Sequence, residues 1–253
     1  MKSEKKQVKK KASSKKITEK KQRKKTTKKT KIISSENKKK VNQAHTAEYH
    51  SQAEFFNTIT HAVGLGLSIA GFAVLLYFCF IKPDIYMILG CAIYGTSMIL
   101  LYSSSAFYHG IIDHRKKLLL KRLDHIAIFI FIAGTYTPFL VRWFRDTTGQ
   151  VMALAVWTVA VSGAIMKLMN LKVKKSVSAL PYIIMGWMIV IIIKPSLERV
   201  PAECLYLFLG GGIAYTAGVF FYVKHHHYNH AIWHLFVLAG SLLHYWAILG
   251  YSF

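Results

Sequence analysis

Seven runs of apolar residues, each approaching the roughly 20 residues that a helix needs to cross a lipid bilayer, are strung along this chain. They fall near Asn57 to Phe80, Ile85 to Tyr108, Leu123 to Val141, Val151 to Leu168, Ala179 to Ile193, Ala202 to Val223 and Ala231 to Tyr251. A soluble helix of this length would show a polar stripe at helical spacing, whereas residues 85–108 and 151–166 contain no charged side chain. The pattern predicts an all-α integral membrane protein, a seven-transmembrane helix bundle. Its fifth run is short and carries Pro181 in the first turn.

A formal charge of +23 conflicts with this apolar body until the charge is located. Residues 1–40 hold 19 of the 34 Lys and Arg against Glu4, Glu19 and Glu36, so they alone account for +16. That segment has no aromatic residue and too little apolar surface to fold alone, which predicts a disordered basic tail over residues 1–47 ahead of a membrane domain over 48–253. The tail suits anionic lipid headgroups or a nucleic acid, or serves as a solvated extension that helps set topology; nothing in it specifies a nucleic acid. It lacks the apolar core and cleavage site of a secretory signal, and the Arg-rich pattern of a transit peptide.

Loop charges predict the orientation. Arg115, Lys116, Lys117, Lys121, Arg122, Lys167, Lys172, Lys174, Lys175 and Lys224 fall on one side together with the tail. The other side has Lys82, Arg142, Arg145, Lys194 and Arg199, diluted by Asp84, Asp146, Glu198 and Glu203. This asymmetry predicts a cytoplasmic N-terminus and a C-terminus outside, in the cell (inner) membrane.

An ionisable group at mid-membrane costs on the order of 3 kcal/mol or more, so polar residues at span ends mark candidate sites. The second span ends at Ser105 and His109, the third begins at Asp124, and the seventh begins with His230 and His234. All are expected at one depth, near the cytoplasmic headgroups. His230 and His234 share a helical face at i, i+4, as do Ser105 and His109. Two imidazoles on one face with a third from a facing helix make three nitrogen ligands, which suits zinc with an open fourth position for water. Such a water is acidified toward neutrality, and Asp124 is placed to take its proton or to orient a ligand. The bland alternatives are interfacial histidines, a Ser105 bonded to its own helix, and an Asp124 paired with Lys121 and Arg122.

Glu54, Asn57 and His61 share a face at the start of the first span, where they either support or gate that site or cap the helix. His225, His226 and His227 form a loop cluster without fixed geometry, and His114 is also placed in a loop. His125 points about 100° away from Asp124, and His244 lies about 15 Å deeper than His234, where it is expected to hydrogen-bond between helices or line a cavity. Cys79, Cys91 and Cys204 have no metal-binding spacing and are expected as packed thiols.

Taken together, E-x-x-N-x-x-x-H at Glu54 to His61, S-x-x-x-H at Ser105 to His109, LDH at Leu123 to His125, GTYTPF at Gly134 to Phe139 and HAIWHLFVLAG at His230 to Gly240 resemble the hemolysin III family. That family belongs to a wider group with the progestin and adipoQ receptors and, more distantly, the alkaline ceramidases. The resemblance covers about residues 48–253. It implies a seven-helix membrane protein with zinc held near the cytoplasmic face by His109, His230 and His234, Asp124 contacting the zinc-bound water and Ser105 in support. Eukaryotic relatives are linked to hydrolysis of lipid amides such as ceramide, whereas the bacterial branch is named for haemolysis.

Three functions are therefore expected in competition. The first is a zinc-dependent hydrolase of lipid amides or esters, with membrane lipids as substrate. The others are a pore-forming cytolysin and a non-catalytic sensor of membrane homeostasis.

Overall fold

The computed structural model describes residues 52–253 apart from 170–173, 225 and 227. The basic tail expected over 1–47 lies outside the described residues. Seven helices are long and apolar enough to cross a membrane. They are α1 (Gln52–Ile81), α2 (Ile85–Gly110), α3 (His114–Trp143), α4 (Thr147–Leu168), a composite fifth crossing within Ser176–Arg199, α7 (Ala202–Val223) and α8 (Asn229–Tyr251). The fifth crossing consists of α5 (Lys175–Gly186), a tight 3-10 turn (Met188–Ile192) and α6 (Ile193–Arg199). Among the described residues there is no strand.

Several helices extend beyond their apolar windows. The third was expected to begin near Leu123, but α3 begins at His114, which is thus a helical residue rather than a loop one. Its start is set by the Asp113 carboxylate, which accepts from the backbone N–H of Arg115 at 2.9 Å and of Lys116 at 3.2 Å. Arg115, Lys116, Lys117, Lys121 and Arg122 consequently ride on the first turns of a helix. A hydropathy window ends where charge begins, yet a helix need not, because long basic side chains can carry their charge out of the apolar layer.

Asp84 and Asp146 cap α2 and α4 in the same way, and each also binds an arginine from another connection. Asp84 pairs with Arg145, whose guanidinium lies 5.2 Å from the centre of the Tyr86 ring. Asp146 pairs with Arg199 at 2.6 Å, and Arg199 stacks over Phe144. The two arginines hold both carboxyls below the usual carboxylate range. Acids expected to dilute positive charge on this side of the bundle thus also join its helix ends.

Helices α2 and α3 form the interior: 50% and 56% of their most apolar windows are buried, against 17–22% for α1, α4, the fifth crossing and α7. The peripheral helices therefore turn most of their apolar surface outward, as a lipid solvent allows. Close approach depends on small residues. A side chain at Gly134 would meet Ser97 Oγ at 2.3 Å, and one at Gly211 would meet His244 at 2.2 Å. Cys79, Cys91 and Cys204 are buried free thiols, as expected.

The break in the fifth crossing frees backbone groups where lipid cannot satisfy them. The Tyr136 hydroxyl of α3 closes the gap. It donates to the carbonyl of Gly186 at 2.8 Å and accepts from the N–H of Ile189 at 2.9 Å. The GTYTPF run thereby acquires a structural purpose, since Trp157 also donates to Thr137 at 3.2 Å. Nothing in the local sequence announces this bond across helices.

Candidate metal centre

His109 sits in the last turn of α2, while His230 and His234 occupy the first turns of α8. Their ligand nitrogens all lie within 4.8 Å of one another, so the three could hold one metal ion. His230 Nε2 is 3.3 Å from His109 Nε2. Ligand nitrogens about 2.0–2.1 Å from a tetrahedral ion lie about 3.3 Å apart, the spacing of this one pair.

Hydrogen bonds on the far side of the His109 and His234 rings decide which nitrogen of each faces the centre. Nδ1 of His109 donates to Glu54 Oε2 at 3.0 Å, and Lys117 Nζ donates to the same oxygen at 3.1 Å. Thr60 Oγ1 already donates to its own helix, at 2.9 Å from the carbonyls of Phe56 and Asn57. It therefore accepts from His234 Nδ1 at 3.3 Å. Both histidines are fixed with the proton on Nδ1 and a lone pair on Nε2. Nε2 of His234 is buried without a hydrogen-bond partner in the described structure, as a nitrogen reserved for a cation would be.

Helix α1 supplies these outer contacts because its buried positions, Ala53, Asn57, His61, Gly64, Ser68, Leu75 and Cys79, recur at helical spacing. His61 is 3% exposed, and its ring lies edge-on to His234 with centroids 3.9 Å apart. It stands outside the set of three mutually close ligand groups. Of the E-x-x-N-x-x-x-H residues, Glu54 thus hydrogen-bonds a candidate ligand, His61 packs against another, and Asn57 is buried one turn before His61.

Asp124 and Ser105 are buried and face each other between α3 and α2. Asp124 also lies 3.9 Å from Nδ1 of its neighbour His125, and it too stands outside the three-histidine group. His125 Nδ1 turns back to the carbonyl of Lys121 at 2.6 Å. His244 hydrogen-bonds between α8 and α7, to the Phe208 carbonyl at 3.0 Å, as its depth predicted. Within the triplet, His225 and His227 lie outside the described residues, and His226 is in a connection. Two participants escaped the sequence reading, Thr60 and Lys117. No motif marks either one, and each is recognisable only from what it touches.

Residues 49–245 match the family described as Haemolysin-III related. The chain belongs to the hemolysin III family. It is similar to Hemolysin-3 of Bacillus cereus, at 40% identity over 199 residues, covering 78% of this chain and 91% of that one. The Hemolysin-3 homolog of Bacillus subtilis (strain 168) is 38% identical over 199 residues, covering 78% and 93%. The human Monocyte to macrophage differentiation factor is 28% identical over 206 residues, covering 78% and 83%. With its seven apolar helices, this hemolysin III protein is an integral membrane protein that crosses the bilayer several times.

Proposed function

We propose that this hemolysin III protein is a zinc-dependent membrane hydrolase of lipid amides or esters. The observation that carries the reading is the convergence of three imidazoles within 4.8 Å, two of them oriented from behind by Glu54 and Thr60. His109, His230 and His234 hold the ion. When bound, zinc supplies a Lewis acid and an acidified water. Asp124, steadied by Ser105, takes the proton released during attack on the acyl carbon and returns it to the leaving group. Lipid-facing apolar surface on α1, α4, the fifth crossing and α7 supports lateral arrival of a membrane substrate.

The excess of basic residues near the histidine end supports a cytoplasmic position for the site, with the C-terminus outside the cell membrane. The tail's lysines then meet anionic headgroups of the inner leaflet.

Purified protein should contain about one zinc per chain, and His230→Ala or His234→Ala should lose both the metal and turnover of a panel of lipid amides and esters. Asp124→Asn should keep zinc and lose turnover. Full zinc retention in both histidine variants would sink the proposal.

The name of the Bacillus cereus relative supports a second reading, a cytolysin. Dye release from liposomes at low protein concentration, unaffected by metal chelation, would favour it. A non-catalytic role in membrane homeostasis is favoured instead if chelation lowers the melting temperature steeply and no lipid in the panel is turned over.

A further inference from the structure

Among the described residues, the buried side-chain atoms without a hydrogen-bond partner are Asn57 Oδ1, both ring nitrogens of His61, His234 Nε2 and the Tyr94 hydroxyl. All but the last gather at one place, where α1 meets the first turns of α8. A metal ion accounts for His234 Nε2. It leaves Asn57 Oδ1 and the two His61 nitrogens without partners.

Among the described residues, three polar groups close to them are already engaged. The Tyr102 ring is 5.5 Å from that of His61, but its hydroxyl is committed to Ser241 Oγ at 2.8 Å. Thr60 donates to its own helix and accepts from His234. His109 lies nearly parallel to His61 at 6.4 Å, with Nδ1 taken by Glu54 and Nε2 turned to the metal centre. Asn57 and His61 are one helical turn apart on the same face, both at most 4% exposed, so a single small group can reach both.

Their donors and acceptors restrict what that group is. A neutral imidazole offers one N–H and one lone pair, and Asn57 Oδ1 only accepts. A carboxylate or phosphate would set its oxygens against these acceptors. An ammonium would bring a positive charge beside the cation held by the three histidines. A hydroxyl fits, because it accepts from the His61 N–H and donates to Asn57 Oδ1.

We propose that Asn57 and His61 form a binding subsite for the hydroxyl group of a neutral lipid beside the three-histidine centre. This deepens the hydrolase reading and rests on it for the neighbouring metal: the substrate would carry a hydroxyl close to the bond that is cut. It also gives His61 a role distinct from that of a ligand.

The test uses the full chain, zinc-loaded, in phosphatidylcholine nanodiscs, which bring no hydroxyl of their own. Melting temperature is measured with 1-decanol, decane, decanoate or decylamine, and metal content is determined in parallel. The expected result is a larger upward shift with 1-decanol than with the other three, abolished in His61→Phe and in Asn57→Leu while zinc content stays at the wild-type level. Should His61→Phe fail to fold, His61→Gln and Asn57→Leu carry the same comparison.

A decanol shift that persists in the variants overturns the subsite, as does an equal or greater response to decanoate or decylamine. So does a wild-type response to 1-decanol no larger than that to decane, which would mean that only water sits there. Loss of zinc in the His61 variants would make His61 a ligand and also overturn it. Zinc present without a decanol shift removes the subsite and spares the hydrolase; a decanol shift without zinc does the reverse.

Discussion

Nδ1 of His109 lies 3.0 Å from Oε2 of Glu54, joining the end of the second helix to the beginning of the first. A carboxylate behind a candidate metal ligand fixes its tautomer and raises its basicity. Glu54→Gln keeps the shape and removes the charge. It is expected to weaken zinc binding about 10–100-fold while leaving the fold intact. Competition with a chelator of known affinity checks this, and unchanged affinity would reduce Glu54 to a partner of Lys117.

Tyr136→Phe removes the hydroxyl that bonds both Gly186 and Ile189 at the break in the fifth crossing. The freed groups are surrounded by protein and lipid, so the expected loss is about 1–3 kcal/mol. Thermal unfolding in detergent measures it. Metal content should stay at the wild-type level, because Tyr136 lies about 18 Å along α3 from Asp124.

Gly211 accepts no side chain without displacing His244, whose ring would lie 2.2 Å from an added Cβ. Gly211→Ala is expected to cost about 1–3 kcal/mol through overpacking, and to break the His244 bond to Phe208. A His244→Phe change in the same background tests the cause, since it should recover none of the loss if the steric clash dominates.

The Asp84 and Asp146 carboxyls are held below their ordinary range by Arg145 and Arg199. A depressed folded-state pKa contributes stability above the unfolded value of about 3.9, and that contribution fades as the pH falls through the lower folded value. The double variant Asp84→Asn, Asp146→Asn should therefore melt earlier than wild type at neutral pH, with the difference narrowing in acid. A gap that stays constant down to the acid limit would show that the carboxylate charge is not its source.

Much of this was legible in the residues alone. The apolar runs announce the crossings, and His109, His230 and His234 are separated in the chain by features that place them at one end of their helices. Misreadings occurred where hydropathy is silent about the backbone. The third helix starts at His114 because the Asp113 carboxylate caps it, nine residues before the apolar run that begins at Leu123. The fifth crossing breaks after Gly186, which looks apolar throughout in composition.

By itself the sequence determined how many times the chain can cross a bilayer, which residues are too polar to face lipid, and the family to which it belongs. The tertiary structure decided that Glu54 backs His109, that Thr60 orients His234, that His61 stands beside the three rather than among them, and that Tyr136 mends the fifth crossing. The reason is the solvent. Lipid accepts apolar side chains on every face of a helix, so hydropathy fixes depth but not rotation. Only packing of one helix against the next turns a given face inward and selects the partner of each buried polar atom.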